Sequence, residues 1–217
     1  MAYKDKLKAL LSPAERRILR KLSTPQKIQD YLDAMPNNVL NHNEHTMRSP
    51  RRVMRDRKAH CMEGAMFAAA ALAYHGRPPI LLGLEATAQD YDHIIALFKE
   101  DGRWGAISKT NYPVLRWRDP VYTSVRELVM SYFHEYFLDT GKKTLRCYSA
   151  PFYIQKYDPA RWLTVEEDVD WLAEELGEAR HYPTAPPRAI RRLRKASKIE
   201  IEATVKREWS RGGKRLI

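Results

Sequence analysis

Apolar positions in this chain fall into three regimes: helix-period faces at the start, one nearly unbroken apolar block in the middle, and short β-branched runs after it. Residues 3–22 read as one or two helices. Ser12, Pro13 and Glu15 give an N-cap, a first-turn proline and the acid of a capping box, and Ile18, Leu19 and Leu22 continue an apolar face. A further helix starts at Ser23 or Thr24 with Pro25 in its first turn, carries Ile28, Tyr31 and Leu32, and stops at Pro36. The pattern then fades. Asn37, Asn38, Asn41 and Asn43 favour turns, and a short helix is expected around residues 51–57.

The central block runs from Cys61 to Tyr74 and is rich in alanine. A helix apolar on all sides is a buried one, and its small side chains let neighbouring elements approach closely. Gly76 is its natural stop, and Pro78 and Pro79 prevent continuation. Three strands are expected next, at residues 80–84, 93–99 and 103–109. Asp101-Gly102 marks a tight hairpin between the last two. If Glu100 pairs with Arg103, paired numbers sum to 203, His93 stands opposite Thr110, and Trp104, Ala106, Ser108 and Thr110 share one face. Ser124 and Glu127 open a helix carrying residues up to Phe137. Thr144 to Ser149 reads as a strand containing Cys147, and Thr164 and Glu167 cap a helix reaching Gly177. A helix is expected within residues 188–197, and residues 199–205 alternate as an exposed strand would. The pattern gives an α+β fold in which a central small-residue-rich helix packs on a mainly antiparallel sheet.

Composition sets limits. The chain has 217 residues, 44% hydrophobic and 30% charged, enough for one solid core with appendages. No apolar run is long enough to span a membrane. The start carries no signal-like apolar stretch, so a cytoplasmic location is expected. The net charge of +11 is uneven: residues 185–217 hold 11 Lys and Arg against 3 Glu, or +8. Three parts follow: N-terminal helices over 1–36, a core with supporting helices over 37–184, and a basic extension over 185–217. That extension could meet an acidic partner. Nucleic acid is a less favoured partner, because no recognition motif accompanies the charge. No cofactor is implied, since no phosphate-binding glycine loop precedes a helix.

Two cysteines, Cys61 and Cys147, make no disulfide framework. Cys61 opens the central helix, where helix-terminal charge lowers a thiol pKa, whereas Cys147 lies in a strand with no activating feature. A buried cysteine can also be a small hydrophobe. The partner of an activated thiol is a histidine. His93 opens the strongest strand. His75 is at the far end of the helix, His60 adjoins Cys61 but adjacent helical residues do not face each other well, and His134 reads as an exposed or packed helix residue. His42, Glu44 and His45 form the rival metal-site reading, without a metalloprotease spacing.

With Cys61 at the start of a small-residue helix, Tyr-His-Gly-Arg-Pro-Pro at its end, Asp-His-Ile-Ile-Ala-Leu-Phe at residues 92–98 and Gly-Arg-Trp-Gly-Ala-Ile-Ser at residues 102–108, the chain resembles the transglutaminase-like, papain-related superfamily. The resemblance covers about a quarter of the chain. It implies a papain-like core and cysteine-dependent hydrolysis or acyl transfer on a peptide or amide substrate, with Cys61 as nucleophile and His93 as acid–base. The family's third residue, usually Asp, falls where this chain reads Gly-Ala-Ile-Ser-Lys-Thr-Asn. Ser108 is the polar orienter on the expected face, with Asn111 as the alternative. Serine can hold a tautomer but cannot offset an imidazolium charge. The competing reading is therefore a catalytically degenerate binding protein that uses the same fold and the basic tail.

Overall fold

The computed structural model describes residues 2–38 and 46–216. Four helices lead in: α1 (Tyr3–Leu10), α2 (Pro13–Lys21), α3 (Pro25–Asp33) and α4 (Pro50–Asp56). Each of the last three starts on a hydroxyl N-cap, Ser12, Thr24 or Ser49, followed by proline. Ser12 and Glu15 form the reciprocal capping box that their spacing announced, at 2.6 and 3.2 Å. Helix α5 (Cys61–Tyr74) follows, and every residue from Met62 to Tyr74 is buried. The leading helices and one face of the sheet enclose it.

The sheet has the order β4-β3-β2-β1-β5-β7, built from β1 (Ile80–Glu85), β2 (His93–Glu100), β3 (Arg103–Ser108), β4 (Arg118–Tyr122), β5 (Cys147–Ser149) and β7 (His181–Pro183). The two-residue β6 (Phe152–Tyr153) also pairs with β1. Every pairing is antiparallel. The architecture is thus α+β with an antiparallel sheet. The β2–β3 hairpin turns on Asp101 and Gly102, both at positive φ (47° and 77°), and its register runs from Glu100↔Arg103 to Ile95↔Ser108. The middle of β2, residues 94–98, is apolar because both faces are covered: Ala96 and Phe98 pack toward α5, while Ile95 and Leu97 join Leu128, Val129 and Tyr132 of α6 (Val125–Tyr132) on the other side.

Gly64, one turn into α5, marks the tightest approach of that helix to the sheet. A Cβ there would stand 2.5 Å from the Lys109 Cβ, just beyond β3. Lys109 is itself buried, and its ammonium donates to the carbonyls of Leu32 (2.9 Å), in the last turn of α3, and Met35 (2.6 Å), just after it. One side chain therefore ties the end of β3 to the end of α3, while its Cβ rests on the first turn of α5.

Several expectations need correction. Residues 199–205 are not a strand: α9 (Lys198–Thr204) forms there, with the Ser197 N–H donating to Glu200 at 2.6 Å. Ile199 is 76% exposed, so the apparent alternation had no sheet to serve. The expected helix of residues 188–197 is only α8 (Pro187–Ile190). The helix capped by Thr164 and Glu167 starts later, as α7 (Asp170–Gly177). The residues before it are tied to the segment leading into α4: Ser49 donates to Val165 O at 2.7 Å, and Asp168 accepts from Met47 N at 3.0 Å and from Arg52 at 2.6 Å. Helix α6 ends at Tyr132 in a 3-10 turn, Phe133–Glu135. The basic extension is anchored at points: Glu208 N–H donates to Asn111 O, Ala196 N–H donates to Gly141 O, and Trp209 is 9% exposed. Among the described residues no helix is long and apolar enough to cross a membrane.

Candidate active site

Helix α5 packs chiefly along β2, and its first turn lies at the end of the sheet where β2 begins and β3 ends. The last residue before it, His60, is extended (φ −92°, ψ −175°), and Cys61 is the first helical residue. That break in conformation matters. Adjacent side chains diverge in this way only where both residues are helical. With His60 at the N-cap, its ring lies beside the thiol, close enough for each side chain to favour the charged form of the other. The ring of His93, the first residue of β2, also acts on the Cys61 thiol and favours its ionised form. Two imidazoles therefore flank one half-buried thiol.

Hydrogen bonding fixes the tautomer of each ring. His60 Nε2 lies 2.8 Å from the carbonyl of Thr46, which can only accept. That nitrogen carries a proton, and Nδ1 is the nitrogen left for Cys61. His93 Nε2 lies 2.7 Å from Ser108 Oγ. Ser108 spends its single proton on Leu115 O, at 2.5 Å, so its lone pair accepts from His93 Nε2–H and Nδ1 again remains for the thiol.

Ser108 is held from three sides. Gln29 of α3 brackets its peptide, accepting from Ser108 N at 2.9 Å and donating to Ser108 O at 2.8 Å. Leu115 adopts φ 60°, a left-handed and strained setting for a branched residue. Its N–H donates to Glu135 at 2.8 Å, and Glu135 pairs with Arg118 of β4 at 2.7 Å. Asn111 is not an alternative orienter: its amide donates to Trp209 O at 2.9 Å and accepts from Trp209 N at 2.7 Å.

The electrostatics favour an ion pair. Burial opposes ionisation of the Cys61 thiol. Hydrogen bonds from His60 and His93, with their positive charge, outweigh it and hold the thiol well below its ordinary value. Burial likewise disfavours the His60 cation, but its bond to Cys61, the charges of Cys61 and Glu63, and the Thr46 carbonyl raise it to about 9. Cys147 goes the other way. Burial and its 2.8 Å donation to Glu85 push its thiol up to about 12.

Beside Cys61 opens a cavity of about 300 Å³. Met47, Met62, Ile94 and Leu176 give its apolar wall, and Glu85, Asp92 and His181 its polar side. His181 pairs with Glu85 at 2.5 Å. His93 is buried and is not part of the lining. His75 donates to Leu19 O, and His134 meets Lys143, both away from Cys61. Among the described residues no group of three or more His, Cys, Asp or Glu could hold a metal ion. His42, Glu44 and His45 lie outside the described residues.

No family model matches the chain, and no curated protein matches it. Among solved structures there is a distant, low-identity match to a chain described as "Legionella pneumophila LapG (calcium-bound)". It shares 11% identity, covers 50% of this chain and 72% of that one, and has a TM-score of 0.35. A likeness this slight carries no argument about the site, which stands on its own geometry.

Sequence reasoning missed His60, Glu63, Gln29 and Leu115. Only the first two left a trace. A polar residue immediately before an apolar helix, with Glu three positions later, has capping-box spacing, and His60 N–H does donate to Glu63 at 3.0 Å.

Proposed function

We propose that the chain is a thiol enzyme with a papain- or transglutaminase-like core, hydrolysing or transferring the acyl group of a peptide or other amide. The single observation that carries this reading is the Cys61 thiol held between two imidazoles at a helix start, on the wall of a cavity. The Cys61 thiol passes its proton to His93 Nδ1, and the sulfur attacks the amide carbonyl carbon, forming a C–S bond as the carbonyl π pair moves onto oxygen. The first-turn N–H groups of Cys61 and Met62, which have no partner within the helix, face the developing oxyanion. The tetrahedral intermediate collapses with cleavage of the C–N bond, and His93 gives its Nδ1 proton to the leaving amine. Water, deprotonated by the same nitrogen, then releases the acid, or an amine takes the acyl group. Ser108 keeps the His93 ring in the required tautomer.

A cavity of this size takes one acyl group of side-chain dimensions. Among the described residues no Lys or Arg lines it, while Glu85 and Asp92 do, which favours neutral or cationic acyl groups over anionic ones. The test is intact-mass analysis after incubation with a thiol-directed amide analogue. A single adduct on Cys61, absent in a folded Cys61→Ala variant, supports the reading. Equal labelling of that variant contradicts it.

A further inference from the structure

Ser108 leaves a gap in this chemistry: it orients His93 but brings no negative charge to an imidazolium. We propose that Glu63 fills that role from the helix side, as a positioning residue that acts on Cys61 through His60. This inference rests on the thiol-enzyme reading and adds a second arm to it. Glu63 is fully buried. Its Oε1 accepts from Thr46 Oγ1 at 2.8 Å and Arg48 N at 3.0 Å, and its Oε2 accepts from His60 N at 3.0 Å and Asn38 Nδ2 at 3.3 Å. Oε1 lies 3.5 Å from His60 Nε2 and 3.4 Å from the Arg48 guanidinium.

These bonds do two things. They lock the His60 backbone at the N-cap, which turns the ring onto the thiol, and they place a carboxylate against the ring edge remote from the sulfur. The Arg48 charge does not cancel that carboxylate alone, because Arg48 is shared with Asp56 of α4 at 3.2 Å. Among the described residues, the charged and titratable groups around His60 are then Cys61 and Glu63 on α5, Arg48 before α4, Asp56 on α4, His93 on β2 reached through the sulfur, and Asp92, Glu85 and His181 on the cavity wall. Protonated His60 sits between the thiolate on one edge and Glu63 on the other. The acid missing from β3 is supplied three residues along from a second histidine, and the two imidazoles divide the work: His60 stabilises the thiolate, and His93 moves the proton.

The test is the pH dependence of Cys61 alkylation by iodoacetamide, a neutral probe, read by peptide mass spectrometry. His60→Asn keeps a competent N-cap and so keeps the helix start. It is expected to lower the alkylation rate at pH 6 by about tenfold or more, one pKa unit of lost thiolate being a factor of ten, while leaving the rate at pH 10 unchanged. Glu63→Gln, where circular dichroism shows it folded, is expected to lose several-fold at pH 6, with Glu63→Asp recovering part of it. A His60→Asn profile superimposable on wild type overturns the inference, and it decides the matter alone if Glu63→Gln does not fold. A wild-type thiol that alkylates only as fast as an ordinary cysteine would instead overturn the thiol-enzyme reading.

Discussion

His93 and Ser108 meet at 2.7 Å, imidazole Nε2 against hydroxyl Oγ, although they are not partners in the strand ladder; Ser108 is paired with Ile95. The contact is a diagonal one across the open end of the hairpin, within reach for long side chains on one face. It depends on Leu115, whose carbonyl takes the Ser108 proton and leaves the oxygen free to accept.

That dependence fixes what Ser108 can become. Ser108→Ala leaves His93 without its acceptor and Leu115 O without its donor, so turnover should fall by about tenfold or more. Ser108→Asp should not recover it, despite restoring a carboxylate, because an ionised Asp would face the Leu115 carbonyl with no proton to give. Steady-state kinetics on both variants checks this. A Ser108→Asp enzyme faster than wild type would show that a neutral orienter is a defect.

The two thiols should differ sharply in reactivity. Cys61 is held well below the ordinary range by its imidazoles, while Cys147 is pushed up to about 12 by burial and Glu85. At pH 7 one equivalent of iodoacetamide should modify Cys61 and leave Cys147 intact, as read by tryptic mapping. Comparable labelling of both would mean that neither environment acts as described.

Gly64→Ala separates helix propensity from packing. In an exposed helix interior the change would stabilise by about 1 kcal/mol. Here the new Cβ would stand 2.5 Å from the Lys109 Cβ, and overpacking of that kind costs about 1–3 kcal/mol. Net destabilisation in urea unfolding is expected, together with slower Cys61 alkylation, because the first turn of α5 must move. Stabilisation with unchanged alkylation would show slack between α5 and β3.

Lys109 gives a pH signature. Burial pushes its ammonium down from 10.5 to about 8, against the pull of Asp33 and Glu208. A folded-state pKa below the unfolded one means that the folded protein binds fewer protons between those values, so this residue's contribution rises with pH across the window and is lost as pH falls through about 8. Relative to Lys109→Met, the wild type should gain stability from pH 8 to pH 10.5, by at most about 3 kcal/mol. Denaturant midpoints at the two pH values read the difference. A flat difference would place the ammonium in water.

The legible parts of the molecule were those in which one local signal decides the outcome. The capped helices at Ser12 and Thr24, the all-apolar α5 and the Asp101-Gly102 hairpin follow from residues within a few positions of one another. The ladder arithmetic placed Ser108 on the His93 side before any distance was known. What stayed hidden depends on distant segments. Residues 164–169 lose their helix to Ser49, Met47 and Arg52, more than a hundred positions away. The left-handed Leu115 has no signature in an ordinary leucine. His60 was discounted because helical neighbours diverge, and only its extended N-cap conformation overturns that rule. The tail alternation at Ile199 and Ile201 misled because a short run with no buried face suits a helix as well as a strand.

The central claim is a Cys61 thiolate that exists near neutral pH, and thiolate absorbance near 240 nm measures it without any substrate. Titrating wild type against Cys61→Ser, so that Cys147 and the tyrosines cancel, should give a difference signal already present at neutral pH that disappears only on acidification. A difference signal that first appears at the pH of an ordinary cysteine, above about 8, would contradict it.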